Sequence, residues 1–319
     1  MFRKVLIITI SCLITVIAAT GCSSATSVEP TPLPMQPVRL QLQWITQAQF
    51  AGYYVALDKG WYEEEGIDLT ISPGAPDIIP IDSVTSGAAD FATNLLPDLA
   101  VAIQDGKQVV SVAQIQQANG LLLISKKFSG IETPQDFAGK KVGVWLGGWD
   151  TQFNALMAKE ELESSDYELV SQGFSMDSFI NGELDVASAM IYNEYHVVLE
   201  SGIAADELNI IDYADYGLDI PGDALFTSIQ NVEDNPDLVL RMVRASLRGW
   251  QYAVEHPEEA VDIVLKYDES GVQTREHQLA MMNEIAKLVQ VTVRPIGFTD
   301  QSDVSRMIDT LASYGILSE

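Results

Sequence analysis

Trp44, Gln47 and Gln49, with Tyr54 a few residues on, place an indole, two uncharged amides and a phenol between a strand-like run and a helix-like one. None of these groups is a nucleophile at neutral pH. Amides and phenols exchange hydrogen bonds, and an indole face stacks on flat rings. The chemistry on offer is recognition of a flat polar molecule. Two other places repeat the theme. Trp145, Gly147, Gly148, Trp149 and Asp150 form a glycine turn between an apolar run and a helix start, and Tyr192, Asn193 and Glu194 follow the apolar run Val186–Met190. Asn94 and Gln116, each just past a strand-like segment, complete a rim.

The glycines let a ligand approach backbone N–H groups. A phosphate would exploit such a helix start, but Asp150 occupies the position and can cap the helix itself. Trp145 reads equally as cleft wall or as lobe core, and Tyr53 and Tyr54 also read as helix-on-sheet packing. Glu194 suits a ligand hydroxyl and equally the first turn of a helix, where a carboxylate is favoured. No lysine or arginine occurs in 44–58, 92–106, 142–158 or 186–223. Carboxylates, sulfonates and phosphates normally recruit such residues, so the expected ligand is neutral or cationic. His196, His256 and His277 are far apart, lack metal-ligand spacing and read as surface helix residues. No metal, cofactor or catalytic residue is expected.

The elements that must position these groups alternate. Leu40 and Leu42 alternate with Gln41 and Gln43, Tyr53 to Tyr62 reads as a helix, and Ile67, Leu69 and Ile71 alternate again, a βαβ opening. Strand-like runs recur at Ile67–Ile71, Asp90–Thr93, Val109–Ala113, Leu121–Ser125, Val142–Trp145, Glu168–Ser171, Val186–Met190, Asn209–Ile211 and Ala224–Ile229. Only helical patterns follow: Pro236–Val254, Pro257–Lys266, Thr274–Val289 and Ser302–Tyr314. The fold class is therefore α/β, with two doubly wound lobes and the C-terminal helices packed on the first. Lobe 1 is expected at 38–126 plus 224–319 and lobe 2 at 127–223. In open α/β sheets ligands sit beyond the carboxyl ends of the strands, where the rim residues fall.

Arg3 and Lys4 precede an uncharged run from Val5 to Ala19, short for a membrane span but suited to a signal peptide over 1–21. Ala19-Thr20-Gly21-Cys22 resembles a site of lipoprotein cleavage and acylation at Cys22, and the proline-rich 22–37 reads as a linker from membrane to domain. Cys12 lies in the signal, so the mature domain keeps no thiol for a disulfide, a thiolate metal site or a nucleophile. Losing Arg3 and Lys4 takes the basic residues from 18 to 16 against 45 acidic ones, a net charge of about −29. Nucleic acid and anionic lipid surfaces repel such a chain.

Leu42-Gln43-Trp44, Phe50 to Ala56, Lys59-Gly60-Trp61-Tyr62, Gly66 to Leu69, Gly143 to Gly148 and Met190 to Tyr195 together resemble the thiamine-pyrimidine-synthase-like family of periplasmic-binding folds. The resemblance covers nearly all of the mature chain. It implies a two-lobe, type II periplasmic-binding fold and a monomeric substrate-binding lipoprotein of an ABC importer, held at the extracytoplasmic face of a bacterial membrane and partnered by a permease. Ligands in the family include thiamine pyrimidine precursors and riboflavin. Gln47 to Tyr54, Trp145 to Gly148 and Tyr192 to Tyr195 look most like the riboflavin-binding branch. The enzyme branch supplies a lysine for pyridoxal phosphate and a histidine used as substrate; those positions align with Asn94 and Asp98, so the resemblance implies binding without turnover. Alkanesulfonate binders share the fold, but here the basic residues an anion wants are missing.

Overall fold

The computed structural model describes residues 34–75, 78–147, 149–289 and 294–318. The expected signal peptide, Cys22, all but the end of the linker, and Gly148 lie outside the described residues.

The strands are β1 (Gln36–Gln41), β2 (Ile67–Ser72), β3 (Phe91–Leu95), β4 (Val109–Gln114), β5 (Leu121–Lys126), β6 (Lys141–Val144), β7 (Glu168–Ser171), β8 (Val186–Met190), β9 (Leu208–Asp212) and β10 (Asp223–Ser228). They form two five-stranded sheets, ordered β2-β1-β3-β10-β4 and β7-β6-β8-β5-β9. Central strands such as β3 are buried throughout, as expected where helices cover both faces of a parallel sheet. Each sheet contains one strand that runs against its neighbours, β10 in the first and β5 in the second. Both are the first strand after the chain crosses between lobes.

This pairing corrects the expected boundary. Residues 121–126 hydrogen-bond to β8 and β9 and so belong to the second sheet, and the outward crossing lies near 115–120 instead of after Ile124. Apolar alternation marks a strand but carries no information about which sheet receives it. The chain returns to the first sheet just before β10, whose first residue Asp223 pairs with Leu95.

Helices fill the gaps: α1 (Ala51–Asp58), α2 (Trp61–Glu64), α3 (Pro80–Thr85), α4 (Leu96–Gln104), α5 (Thr151–Lys159), α6 (Asp177–Ile180), α7 (Glu194–Glu200), α8 (Ile229–Asp234), α9 (Pro236–Glu255), α10 (Pro257–Tyr267), α11 (Arg275–Val289) and α12 (Gln301–Ser313). The single helix expected over Tyr53–Tyr62 is two, because Gly60 adopts the left-handed conformation at φ 72° and ends the first. Helix α9 starts at Pro236, whose fixed φ suits a first turn, and lays a buried stripe from Leu238 to Ala253 on lobe 1. Against α1 the approach is backbone-close. A Cβ on Gly249 would run into the Gly52 carbonyl, and one on Gly52 into the Trp250 indole. The segment Gln47–Phe50, which carries cleft residues into α1, is thereby held on a rigid support. No helix among the described residues is long and apolar enough to cross a membrane.

Candidate functional site

The carboxyl ends of β1, β3, β6 and β8 face one another between the lobes, and the cleft there is lined by Gln43, Trp44, Gln49, Leu95, Trp145, Trp149, Met190, Tyr192, Asn193 and Glu194. Trp44, from lobe 1, inserts among lobe 2 rings. Its ring centre is 5.7 Å from Trp145, 6.0 Å from Trp149 and 4.0 Å from Phe174, all edge to face. The Trp145 indole donates to the Gly173 carbonyl (3.1 Å), and Trp149 donates across the cleft to Asn94 Oδ1 (3.1 Å). The rings leave about 30 Å³ free, room for a water or two. A ring ligand enters only when the lobes part.

The floor on the lobe 1 side is polar. Asp223 is buried and accepts from Gln43 Nε2 and Gln49 Nε2, each at 2.7 Å. Gln49 Oε1 in turn accepts from Gln47 Nε2 at 2.8 Å. Burial pushes the Asp223 carboxyl up to about 6, against the pull of the two amides. Gln43 gives its N–H to Asp223 and leaves its buried Oε1 without a partner, as is the Tyr192 hydroxyl. Glu194, at the start of α7, accepts from the Met190 N–H (2.9 Å) and from Asn193 Nδ2 (2.6 Å). Burial pushes it up to about 7. The indole N–H groups of Trp145 and Trp149 and the amides of Gln43, Gln47, Gln49 and Asn193 are already engaged.

Of the residues expected from sequence, Trp44, Gln49, Trp145, Trp149, Tyr192, Asn193 and Glu194 line the cleft together. Asn94 supports it through Trp149. Gln47 backs Gln49 and faces an adjoining cavity of about 210 Å³ behind Trp44. Gln116 is buried beside Gly222 in the crossing and does not line the cleft. Tyr54 is turned away from it: its hydroxyl meets Thr46 Oγ1 at 2.9 Å and its ring lies over Tyr267, because α1 rotates that face into lobe 1. Gly147 is exposed at φ 92°, so the turn needs glycine for its backbone and not for ligand approach. Asp150 makes no cap bond to α5; it accepts from Asn154 Nδ2.

Sequence reasoning missed three residues. Gln43 was visible only as a strand position, and Asp223 precedes an apolar strand, where ligand groups are not sought. His277 was expected on the surface but is buried, with contacts to both Asn193 and Glu200.

With this geometry in hand, the comparisons with known proteins are direct. Residues 47–260 match the family described as NMT1/THI5 like. The chain belongs to this family. Within the NMT1/THI5-like family it is 28% identical to the formylaminopyrimidine-binding protein of Halalkalibacterium halodurans over 80% of this chain and 77% of that one. It is 27% identical to the riboflavin-binding protein RibY of Chloroflexus aurantiacus over 99% of this chain and 94% of that one. Pyrimidine phosphate synthases are also among its relatives. The fold matches that of the alkanesulfonate-binding protein of Xanthomonas axonopodis pv. citri bound to MOPS, with a TM-score of 0.67 at 12% identity over 90% of this chain and 96% of that one. This is the two-lobe periplasmic-binding architecture expected from the sequence.

Proposed function

We propose that the protein is the substrate-binding component of an ABC importer, tethered through Cys22 on the extracytoplasmic face of the membrane, and that it closes on riboflavin and presents it to a permease. One observation carries the ligand class: Trp44 of lobe 1 and Trp145 and Trp149 of lobe 2 meet in a cleft whose described lining residues include no basic side chain. A flat, uncharged ring system gains most from such walls. The match to RibY along 99% of the chain supports riboflavin first.

A second reading has its own observation. Gln43 Oε1, Glu194 and Asp223 make the floor rich in acceptors, which suits the donating amino group of an aminopyrimidine precursor. The synthase reading is disfavoured: Asn94 Oδ1 is engaged by Trp149 and the Leu95 N–H, and neither Asn94 nor Asp98 can form the imine to pyridoxal phosphate that a lysine forms.

Equilibrium dialysis of the mature domain against riboflavin and a formylated aminopyrimidine decides between the ligands. Preferential retention of the pyrimidine would overturn the riboflavin assignment. Incubation with pyridoxal phosphate and iron should give no pyrimidine product. Radiolabelled fatty acid should enter the wild type and not Cys22→Ser, and equal labelling would remove the anchor.

A further inference from the structure

Behind Trp44 the ring cleft adjoins a second cavity of about 210 Å³, and Trp44 and Asn193 line both spaces. Their linings differ. The first is walled by Trp44, Trp145, Trp149 and Tyr192, whereas Gln47, Gln273 and Thr274 from lobe 1 and Glu200 from lobe 2 bring polar groups to the second. No lysine or arginine lines it among the described residues. Space of that size and polarity attracts water, so an occupant must return the hydrogen bonds it displaces.

Each of these four polar groups has one side spent within the protein. Gln47 Nε2 donates to Gln49 Oε1 (2.8 Å), and Gln273 Oε1 accepts from Gln278 Nε2 (2.7 Å). The Thr274 hydroxyl oxygen accepts from the His277 backbone N–H (3.2 Å), and Glu200 Oε1 lies 2.9 Å from His277 Nδ1. Among the described residues the other side of each has no protein partner. The Gln47 amide oxygen and the second Glu200 oxygen remain as acceptors, and the Gln273 amide N–H groups and the Thr274 hydroxyl proton remain as donors. Donors and acceptors therefore line one space, drawn from both lobes.

We propose that this second cavity is a subsite for an uncharged, polyhydroxylated chain carried by the flat ring system, and that it selects such a ligand over the bare ring and over the same chain ending in a phosphate. The inference rests on the flavin reading above and deepens it, since riboflavin carries a hydroxylated chain on its middle ring. A hydroxyl both donates and accepts, so a row of them serves mixed donors and acceptors where a carbonyl or an ammonium serves only one kind. A phosphate would lie beside the Glu200 carboxylate with no lysine or arginine among the lining residues to offset it. The Glu200 side chain is 50% exposed, so solvent tempers that repulsion without removing it. A chain seated there meets Gln273 of lobe 1 and Glu200 of lobe 2 at once, which adds a polar tie across the closed cleft.

Lumiflavin has the same rings with a methyl group in place of the chain, and riboflavin phosphate has the same chain with an anionic end. Titrated into the protein and read by flavin fluorescence, riboflavin should bind about tenfold more tightly than lumiflavin and about fivefold more tightly than its phosphate. Gln273→Ala removes a donor to the chain and should narrow the riboflavin-to-lumiflavin ratio to about threefold. Glu200→Gln keeps an oxygen acceptor but removes the charge, and should narrow the riboflavin-to-phosphate ratio to about twofold. Each ratio is taken within one protein, so a general loss of folding or closure cancels. Equal affinities of the wild type for riboflavin and lumiflavin, or for riboflavin and its phosphate, overturn the subsite and leave ring recognition standing. Ratios that neither substitution changes overturn it as well, since the chain then lies elsewhere. If none of the three flavins binds, the flavin reading falls and the subsite falls with it.

Discussion

On the lobe 1 side, the cleft wall is a hydrogen-bonded network in which Asp223 gathers Gln43 and Gln49, and Gln49 gathers Gln47, with the Gln47–Phe50 segment leading into α1 where it packs closely on α9. On the lobe 2 side, the wall is rings: Trp145, Trp149 and Phe174 meet Trp44 edge to face, and Trp149 is only partly buried on a glycine turn. The first wall is fixed by bonds whose loss leaves buried polar atoms bare. The second is fixed by contact area and adapts to what it touches. Changes on one side should therefore be read mainly in stability and on the other mainly in affinity.

The largest effect is expected at the ring that joins the walls. Trp44→Ala removes the face met by three lobe 2 rings and should weaken riboflavin binding by about 3 kcal/mol, roughly 150-fold. Unchanged affinity in a flavin fluorescence titration would mean that the rings do not close on the ligand. Next, Gln43→Leu deprives buried Asp223 of a donor and should cost about 2 kcal/mol of stability in urea at alkaline pH. The cost should shrink at about pH 5, where Asp223, held up to about 6 by burial, is protonated and needs its donors less. Pure affinity loss without a stability change would erase the distinction between the walls.

The wild type supplies a companion test. Asp98, Glu194 and Asp223 are each raised by burial, to about 7, about 7 and about 6. A carboxyl raised in the folded state contributes stability below its unfolded value and loses it as the pH rises through its folded value. Stability at fixed urea should therefore decline from about pH 4 to about pH 7 on account of these groups, and Asp98→Asn should flatten part of that decline. Trp149→Ala should cost about 1.5 kcal/mol in affinity, roughly tenfold, with little effect on the urea midpoint. Smallest of all, raising salt should change riboflavin affinity less than about twofold, since the ligand and the lining lack opposed charges to screen. Abolition of binding by salt would point to an anion.

The strands were legible because each is a short apolar run bounded by turn residues, a pattern that survives without tertiary information. The lobe assignment of β5 was not, since LLLISK packs equally well in either sheet. Trp44, Trp145, Trp149 and the Tyr192–Glu194 segment were legible through one rule, that ligands sit past the carboxyl ends of parallel strands. Asp223 escaped by the same rule. β10 runs antiparallel to β3, with Asp223 opposite Leu95, so the start of this strand lies at the cleft where the ends of the others do. His277 escaped because the partners that bury it are some 80 residues away in sequence, beyond any local pattern. Tyr54 was wrongly included because helical spacing does not say which way α1 is turned.

Three of the five tryptophans, Trp44, Trp145 and Trp149, stand in the cleft, and the other two, Trp61 and Trp250, lie in lobe 1. The molecule's own ultraviolet emission is thus weighted toward the place where a ligand arrives. If the ligand is a flavin, it would absorb in the range where those indoles emit and darken them by energy transfer, reporting occupancy with no attached dye. Because the three rings are shared between the lobes, opening alone shifts their solvent contact and colours the same signal, which makes the spectrum a gauge of motion as well as of binding.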